Sequence, residues 1–352
     1  MPILDIFNQD AFAATTLTGN VTLVDNDYGR INALGLFRAE PIPTTTGTVI
    51  VENGVLGLLP TRPRGGPATF GTRGKQKPVP FFVPHIPHDD AVLSTDVQNM
   101  LALSGGGEAG LETLLGFLNR KLITMRRKHA ITLENLRMGA LKGIVRDSDG
   151  TVLLDLFAMF GVTEKVIDFA LGTGSTDVLG KCQDVTAYME DNLLGETMTS
   201  VHALCSPEWF RKFTAHASVK EAFKYYQSGP QILREDVRKG FTFGGIFFEE
   251  YRGSASYLQE DGTKSAPQRF IPAGDVRFFP LGTTDTFTNY WAPPDFWPAV
   301  NEAPTVSAAD AEVFVAPLEP MEFGKGMKVH TESNPLPLVK RPALLVRGTT
   351  SN

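Results

Sequence analysis

From Leu111 onward, apolar residues recur at three- and four-residue steps: Leu111, Leu114, Leu115, Leu118, Leu122, Met125, Leu133, Leu136 and Ala140. Arg120, Lys121, Arg126, Arg127 and Lys128 fall largely to the other side. That spacing predicts one long amphipathic helix over 111–145, about 50 Å long at 1.5 Å per residue. The flanking segments read differently. Residues up to about Pro43 show short apolar clusters broken by Thr, Asn, Gly and Asp, the pattern of an extended arm. TGTVIVENGVLGLLP holds two β-rich runs joined through Asn53-Gly54, a strong local hairpin signal. VPFFVPHIP has the apolar content of a strand but too many prolines for the middle of a sheet, so it belongs at an edge.

Past the long helix, RDSDGTVLLDLF predicts a turn at Asp147–Gly150 followed by a strand. Residues from about Thr163 to Gln227 read as shorter helices around one buried strand, SVHALCS. Asp177 is placed to cap DVLGKCQDVTAYMEDNLL, and Ser206 with Pro207 opens PEWFRKFTAH. Strands take over at FGGIFFEEYRG and DVRFFPLG, a Pro- and Ala-rich surface connection covers about 290–320, and the C-terminus returns to β-like pieces. The fold class is therefore α+β.

Composition narrows the classes. At 352 residues with 42% hydrophobic content the chain fills a substantial core. Its 33 Lys+Arg against 39 Asp+Glu give a net charge of −6, which argues against a surface devoted to nucleic acid while allowing a local basic face. Two cysteines, Cys182 and Cys205, are not spaced for a disulfide framework or a zinc knuckle and point to a reducing compartment. MPILDIFNQDAFAATT has no basic start and reaches Asp5 and Asp10 early, unlike a secretion signal, and no apolar run spans a bilayer; the expectation is a soluble intracellular protein or one assembled inside a cell.

No motif yields an active site. GTRGKQ at 71–76 has Thr69 and Gln76 where a phosphate loop needs Gly and Ser/Thr. Gly105, Gly107 and Gly110 match G-x-G-x-x-G, but DVQNMLALS before them looks as helical as strand-like, and RRKHAI stands where the ribose-binding acid belongs. His85, His88, Asp89 and Asp90 are the one cluster of metal-ligand types, yet Pro84 and Pro87 forbid the helix that would align the imidazoles; the plainer reading is a loop end in which Asp89 or Asp90 caps the succeeding segment. His129 falls inside the long helix, His202 in an apolar strand, and Glu249 and Glu250 on opposite faces of theirs. Neither an enzyme, nor a cofactor, nor a metal is indicated.

Residues 61–77 remain, a Pro/Gly-rich stretch carrying Arg62, Arg64, Arg73, Lys75 and Lys77 with no acidic residue. It is open to reading as a strap over a neighbouring molecule or as a nucleic-acid arm acting with Arg126-Arg127-Lys128; the arm reading lacks interleaved aromatics beyond Phe70, Phe81 and Phe82.

The stretches GVLGLLPTRPRGGPATFGTRGKQ, IPHDDAVLSTDVQNM, RRKHAITLENLRMGALKGIVRDSDGTVLLDLF, MEFGKGMKVHTESNPLPL and RPALLVRG resemble the phage major capsid protein E family, the lambda-type branch of tailed-bacteriophage capsid proteins. The resemblance runs over essentially the whole chain and implies an HK97-like phage capsid fold. It assigns 1–45 to an N-terminal arm, 46–92 to an E-loop, 93–163 to a P-domain with its spine helix at 111–145, 164–322 to an A-domain, and 323–352 to a return to the P-domain. It also implies self-assembly into hexamers and pentamers of an icosahedral shell around DNA in the virion, built in the host bacterial cytoplasm. Arg62, Arg64, Arg73, Lys75 and Lys77 become inter-subunit contacts. Scaffolding, portal and decoration proteins become partners; no acidic helical pro-segment precedes the arm, so the scaffold is expected as a separate protein. No membrane or sequence-specific DNA contact is implied.

Overall fold

A computed structural model describes residues 13–22, 29–52, 76–104, 108–226, 240–257, 263, 265–296 and 312–351. In chain order the principal elements are α1 (Ala14–Thr22), β1 (Thr46–Glu52), β2 (Gln76–Phe82), β3 (Ile86–Leu93), α2 (Ser94–Ser104), α3 (Glu108–Leu141), β4 (Ile144–Arg146) and β5 (Val152–Asp155). There follow β6 (Lys165–Asp168), α4 (Val178–Asp191), β7 (Ser200–Cys205), α5 (Pro207–Ala215), α6 (Ala217–Tyr226), β8 (Phe241–Phe243), β9 (Ile246–Glu250) and β10 (Asp275–Leu281). The chain closes with β11 (Phe287–Trp291), β12 (Phe314–Val315), β13 (Glu319–Pro320), β14 (Gly326–Ser333), β15 (Pro335–Val339) and β16 (Val346–Thr349).

Two units carry the contacts: residues 1–47, 82–134 and 289–337 form one, and 48–81, 135–288 and 338–352 the other. In the first, β14 is the organising strand. It pairs antiparallel with β3 along its whole length, Gly326 opposite Leu93 and Ser333 opposite Ile86, and with the short strands β12 and β13. Its core joins Leu17 and Val21 of α1, Val92, Val97, Leu118, Leu122 and Met125, and Val313, Val315 and Val329. The N-terminal stretch is thus not wholly extended: 14–22 is helical because Leu17, Thr18 and Val21 share one buried face, and Thr18 Oγ1 accepts the Val315 amide at 3.0 Å.

The 34-residue helix α3 begins three residues before Leu111 and ends at Leu141. One expectation fails there: Arg126 is buried, 3.7 Å from Glu312, and Glu134 and Arg137 are buried with it. Glu134 accepts the Ile31 amide at 3.0 Å. Gly29, at φ 98°, passes so close that a Cβ would fall 2.3 Å from the Glu134 carboxylate, so only glycine fits.

The second unit is built on a six-stranded mixed sheet in the order β6-β16-β10-β7-β9-β8. β7 runs parallel to β9 and antiparallel to β10, which buries it on both edges. Alternation along the strands then sorts the faces. Val201, Ala203, Cys205, Ile246, Phe248 and Phe278 pack with Val178, Cys182, Val185 and Met189 of α4 and with Trp209, Phe210 and Phe213 of α5. Trp209 stacks on Phe213 and Phe248 and meets Phe169 edge-on. The caps at Asp177 and Ser206-Pro207 are formed: the Asp177 side chain accepts the Gly180 amide, and Ser206 Oγ that of Trp209.

The run after Asn53-Gly54 lies outside the described residues; β1 pairs with β2 in a two-stranded ribbon. One further expectation changes. The span 290–320 is not simply surface, since β11 and Val313–Ala316 are buried.

Candidate assembly surface

The ribbon β1–β2 is tied at its root by the Val83 amide, which donates to Thr45 O at 3.0 Å. Along β2, Val79 and Phe81 are buried while Pro78, Pro80 and Phe82 are exposed. Pro78 and Pro80 cannot donate to a ladder, which suits a strand paired on one edge only. Arg62, Arg64, Arg73 and Lys75 lie outside the described residues; Lys77 is a residue of β2 whose side chain lies outside them as well.

Immediately beyond the ribbon, His88, Asp89 and Asp90 are on β3, a strand where the sequence suggested a capping loop end. Strand alternation parts them. Asp90 accepts from Lys121 Nζ at 3.0 Å; burial, the largest influence, works against its charge, but that bond, the Ala91 amide and the charges of Lys121 and Lys128 together outweigh it, so its carboxyl is held below the usual range. Asp89 pairs with His330 Nδ1, and His330 Nε2 lies 2.9 Å from Glu332 Oε1. Burial pulls the His330 pKa down, but hydrogen bonds to these two carboxylates more than reverse it, and the net shift is upward. Glu332 Oε2 also accepts the Asp295 amide at 2.7 Å.

His88 and His129 titrate the other way. Lys128 Nζ donates to His88 Nε2 at 2.9 Å, and burial followed by that neighbouring charge lowers the His88 pKa. His129 Nε2 donates to Thr331 Oγ1 at 3.0 Å, whose hydroxyl donates to His88 O at 3.0 Å, a chain of bonds that fixes the tautomer. The other ring nitrogen, Nδ1, is buried with no hydrogen-bond partner among the described residues, and burial followed by the nearby His88 and His330 lowers this pKa to about 4. Lys121, Arg126 and Lys128 are thus all engaged with groups of their own subunit, which removes most of the basic helix face that a phosphate-binding reading needs.

No catalytic set emerges among the described residues. No group of three or more His, Cys, Asp or Glu among them is arranged to hold a metal ion. Cys182 and Cys205 are buried free thiols, the first pushed up to about 12 by burial and by Asp177 and the second raised by burial, the opposite of an activated nucleophile. His202 lies between the rings of Phe247 and Phe279, 3.4 Å from the Glu249 carboxylate, with no nucleophile beside it. His216 bonds Thr173 O, and His85 bonds Asn334 Oδ1. The helix α2 stands before Gly105, so the dinucleotide strand is absent.

Sequence reasoning passed over one exposed feature. Residues Glu322–Gly324 make a tight turn before β14 in which Phe323 is 91% exposed at φ 60°. Only the neighbouring Gly-Lys-Gly hinted at a turn there.

Comparison with known proteins agrees on one family. The model of the phage major capsid protein E family matches residues 13–350. The major capsid protein of Pseudomonas phage KPP10 is 33% identical over 355 residues, covering 97% of both chains. The major capsid protein of Salmonella phage Felix O1 is 28% identical over 262 residues, 70% of this chain and 71% of that one. Among solved structures, the mature capsid of bacteriophage PhiM1 superposes with a TM-score of 0.50 at 13% identity, covering 90% of this chain and 86% of that one, a likeness of fold. None of these relatives supports a nucleic-acid-binding protein.

Proposed function

The chain belongs to the phage major capsid protein E family, and from that premise we propose how its copies build a shell. The fold is the HK97-like capsid fold and the role is structural, that of a subunit in a self-assembling head and not of an enzyme. In the proposal, copies associate as hexamers and pentamers that close into an icosahedral shell around DNA. Residues 1–45 act as the N-terminal arm, 46–92 as the E-loop, 93–163 as the P-domain with α3 as its spine, 164–322 as the A-domain and 323–352 as the return to the P-domain. The observation that carries the reading is the family match, which runs from residue 13 to residue 350.

The ribbon supplies the physical argument for a strap. An isolated two-stranded ribbon is marginally stable in water, and β1–β2 has no third strand among the described residues. Contact with a neighbouring copy fixes it, with Arg62, Arg64, Arg73, Lys75 and Lys77 meeting acidic surface across the boundary. Repeated over many subunits, individually weak contacts give a shell that stays closed. The net charge of −6 suits a container whose wall must not hold phosphates tightly. A separate scaffolding protein, a portal and a decoration protein complete the partner set, and assembly takes place in the bacterial cytoplasm.

The test compares the full chain with a version in which residues 61–77 are replaced by a short Gly/Ser link, by sedimentation velocity and negative-stain microscopy. Shells, rings or tubes from the former and small species from the latter support the strap. Equal assembly of both removes the strap from the proposal, and a wild-type chain that stays monomeric at every concentration and salt removes self-assembly unaided by a scaffold.

A further inference from the structure

Phe323 occupies the left-handed region, at φ 60° and ψ 19°, followed by Gly324 at φ 65°. A residue with a Cβ is strained there, and bulky residues adopt the region rarely. Three described non-glycine residues have positive φ, Ala170, Leu194 and Phe323; Leu194 is 48% exposed, whereas Phe323 is 91% exposed. Among the described residues the one ring contact is with the ammonium of Lys325, 5.8 Å from the centroid. The position therefore combines two costs, strain and a solvated aromatic ring, where glycine or asparagine would form the same turn with neither.

The support beneath the ring is rigid. The Ser94 amide donates to Lys325 O at 2.9 Å, Ser94 Oγ to Gly324 O at 3.2 Å, and the Met321 amide to Gly326 O at 2.8 Å. Gly326 passes so near β3 that a Cβ would stand 2.3 Å from Val92 O. Leu93, opposite Gly326 in the ladder, is 43% exposed and places a second apolar side chain at this end of β14. Strain persists where the surroundings over-determine it, and such sites serve preorganised contacts.

We infer that Phe323 is a preorganised knob that seats in an apolar recess on a second copy of this chain. The inference rests on the capsid reading and specifies one of its contacts. Among the described residues nothing beyond the Lys325 ammonium offsets the two costs, so the compensation is sought outside the subunit, and a shell subunit is surrounded by copies of itself in fixed orientations. Glu322 and Lys325 flank the ring with one charge of each sign, which suits a near-neutral protein surface and not a polyanion. A large aromatic on a fixed backbone is also the residue type that dominates interface energetics.

The experiment uses the full chain, Phe323→Gly and Phe323→Cys. Phe323→Gly relieves the strain, so unassembled subunits should unfold at the same urea concentration as wild type or a higher one, while the concentration needed for assembly rises about tenfold or more. Phe323→Cys, mixed as a small minority into wild type, should react with a maleimide readily in free subunits and about tenfold more slowly in assemblies; Cys182 and Cys205 are buried and leave the new thiol distinguishable. Assembly of Phe323→Gly at the wild-type threshold, or unchanged maleimide reactivity in particles, overturns the inference and leaves the capsid reading standing. A Phe323→Gly subunit that is itself destabilised overturns it too, since the ring would then serve the subunit's own fold. Failure of wild type to assemble at all removes self-assembly unaided by a scaffold, and with it the inference that Phe323 drives contacts between bare copies.

Discussion

Acid should loosen the unassembled subunit through His129 before its carboxylates titrate. His129 faces His88 of β3, Thr331 of β14, and Arg126 and Lys128 of its own helix, while His330, on the other face of the ladder, acts on it only through its charge. The nearby carboxylates are occupied elsewhere, Asp89 and Glu332 by His330 and Asp90 by Lys121. Protonating Nδ1 would place a new N–H where no acceptor waits, beside like charges. The folded pKa, about 4, lies below the ordinary 6.5, so the unfolded chain takes up the proton first. Stability is therefore unaffected above 6.5, falls as pH drops through the interval to about 4, and levels off below it. The depression corresponds to about 3 kcal/mol lost across that interval, a large part of a typical stability. His88, also lowered, adds in the same direction. His330, with its raised value, contributes fully below 6.5 and does not offset the loss. The assay is urea unfolding of unassembled subunits, followed by circular dichroism from about pH 7 down to about pH 4.5. His129→Gln keeps a donor for Thr331 and cannot titrate, so its stability should fall by about 3 kcal/mol less over the same range. Parallel pH curves for the two proteins would refute the reasoning, whatever their separation at neutral pH.

The packing sets three further outcomes. Trp209→Ala empties the aromatic cluster of α5 and should cost about 3–5 kcal/mol in urea unfolding, whereas Trp209→Phe should cost far less, because removing the buried, unpartnered indole N–H recovers about 1–3 kcal/mol; equal losses would contradict this. Gly326→Ala forces β3 and β14 apart at Val92 O, so hydrogen-exchange protection along Val92–Leu93 and Gly326–Met327 should drop by at least about tenfold while that of β7 and β10 holds. His330→Gln should flatten the decline of stability as pH rises above 6.5, where wild type loses the attraction of charged His330 for Asp89 and Glu332; an unchanged slope would show that the pair contributes nothing.

Where sequence signals were local, they read correctly. The three- and four-residue spacing that starts at Leu111 marked α3, Asp177 and Ser206-Pro207 marked two helix starts, and the apolar run of SVHALC marked a strand buried on both edges. Where the determinant was a distant partner, the signals misled or were silent. The run after Asn53-Gly54 lies outside the described residues, and the pairing of β1 with β2, more than twenty residues further on, had no local signal. Arg126 looked like part of a solvated basic face and is buried because Glu312 reaches it from far along the chain. ATTLTGNVT has too few apolar residues to announce a helix, and its burial is decided by α3 and β12. The His88–Thr331–His129 contact exists only because β3 and β14 pair in one register, with His330 and Asp89 on the other face, and a shift of β14 by a single residue would turn Thr331 away from His129.

That register places three features on one ladder. At one end, Ile86 opposite Ser333, the chain has just left the ribbon root at Val83. At the other end, Leu93 opposite Gly326, stands the turn that holds Phe323. The histidine grouping lies between them, with His88 opposite Thr331 and Asp89 opposite His330. A strained turn keeps its geometry only while its support is intact, so weakening the middle of the ladder must relax the Phe323 turn and the ribbon root together. The acid sensitivity of His129 and the assembly role of Phe323 are then linked: free subunits held near pH 4.5 should lose the preorganisation of Phe323 and assemble poorly, and His129→Gln should restore assembly there. Equal acid inhibition of wild type and His129→Gln would place the proton-sensitive contact elsewhere and separate the two ends of the ladder.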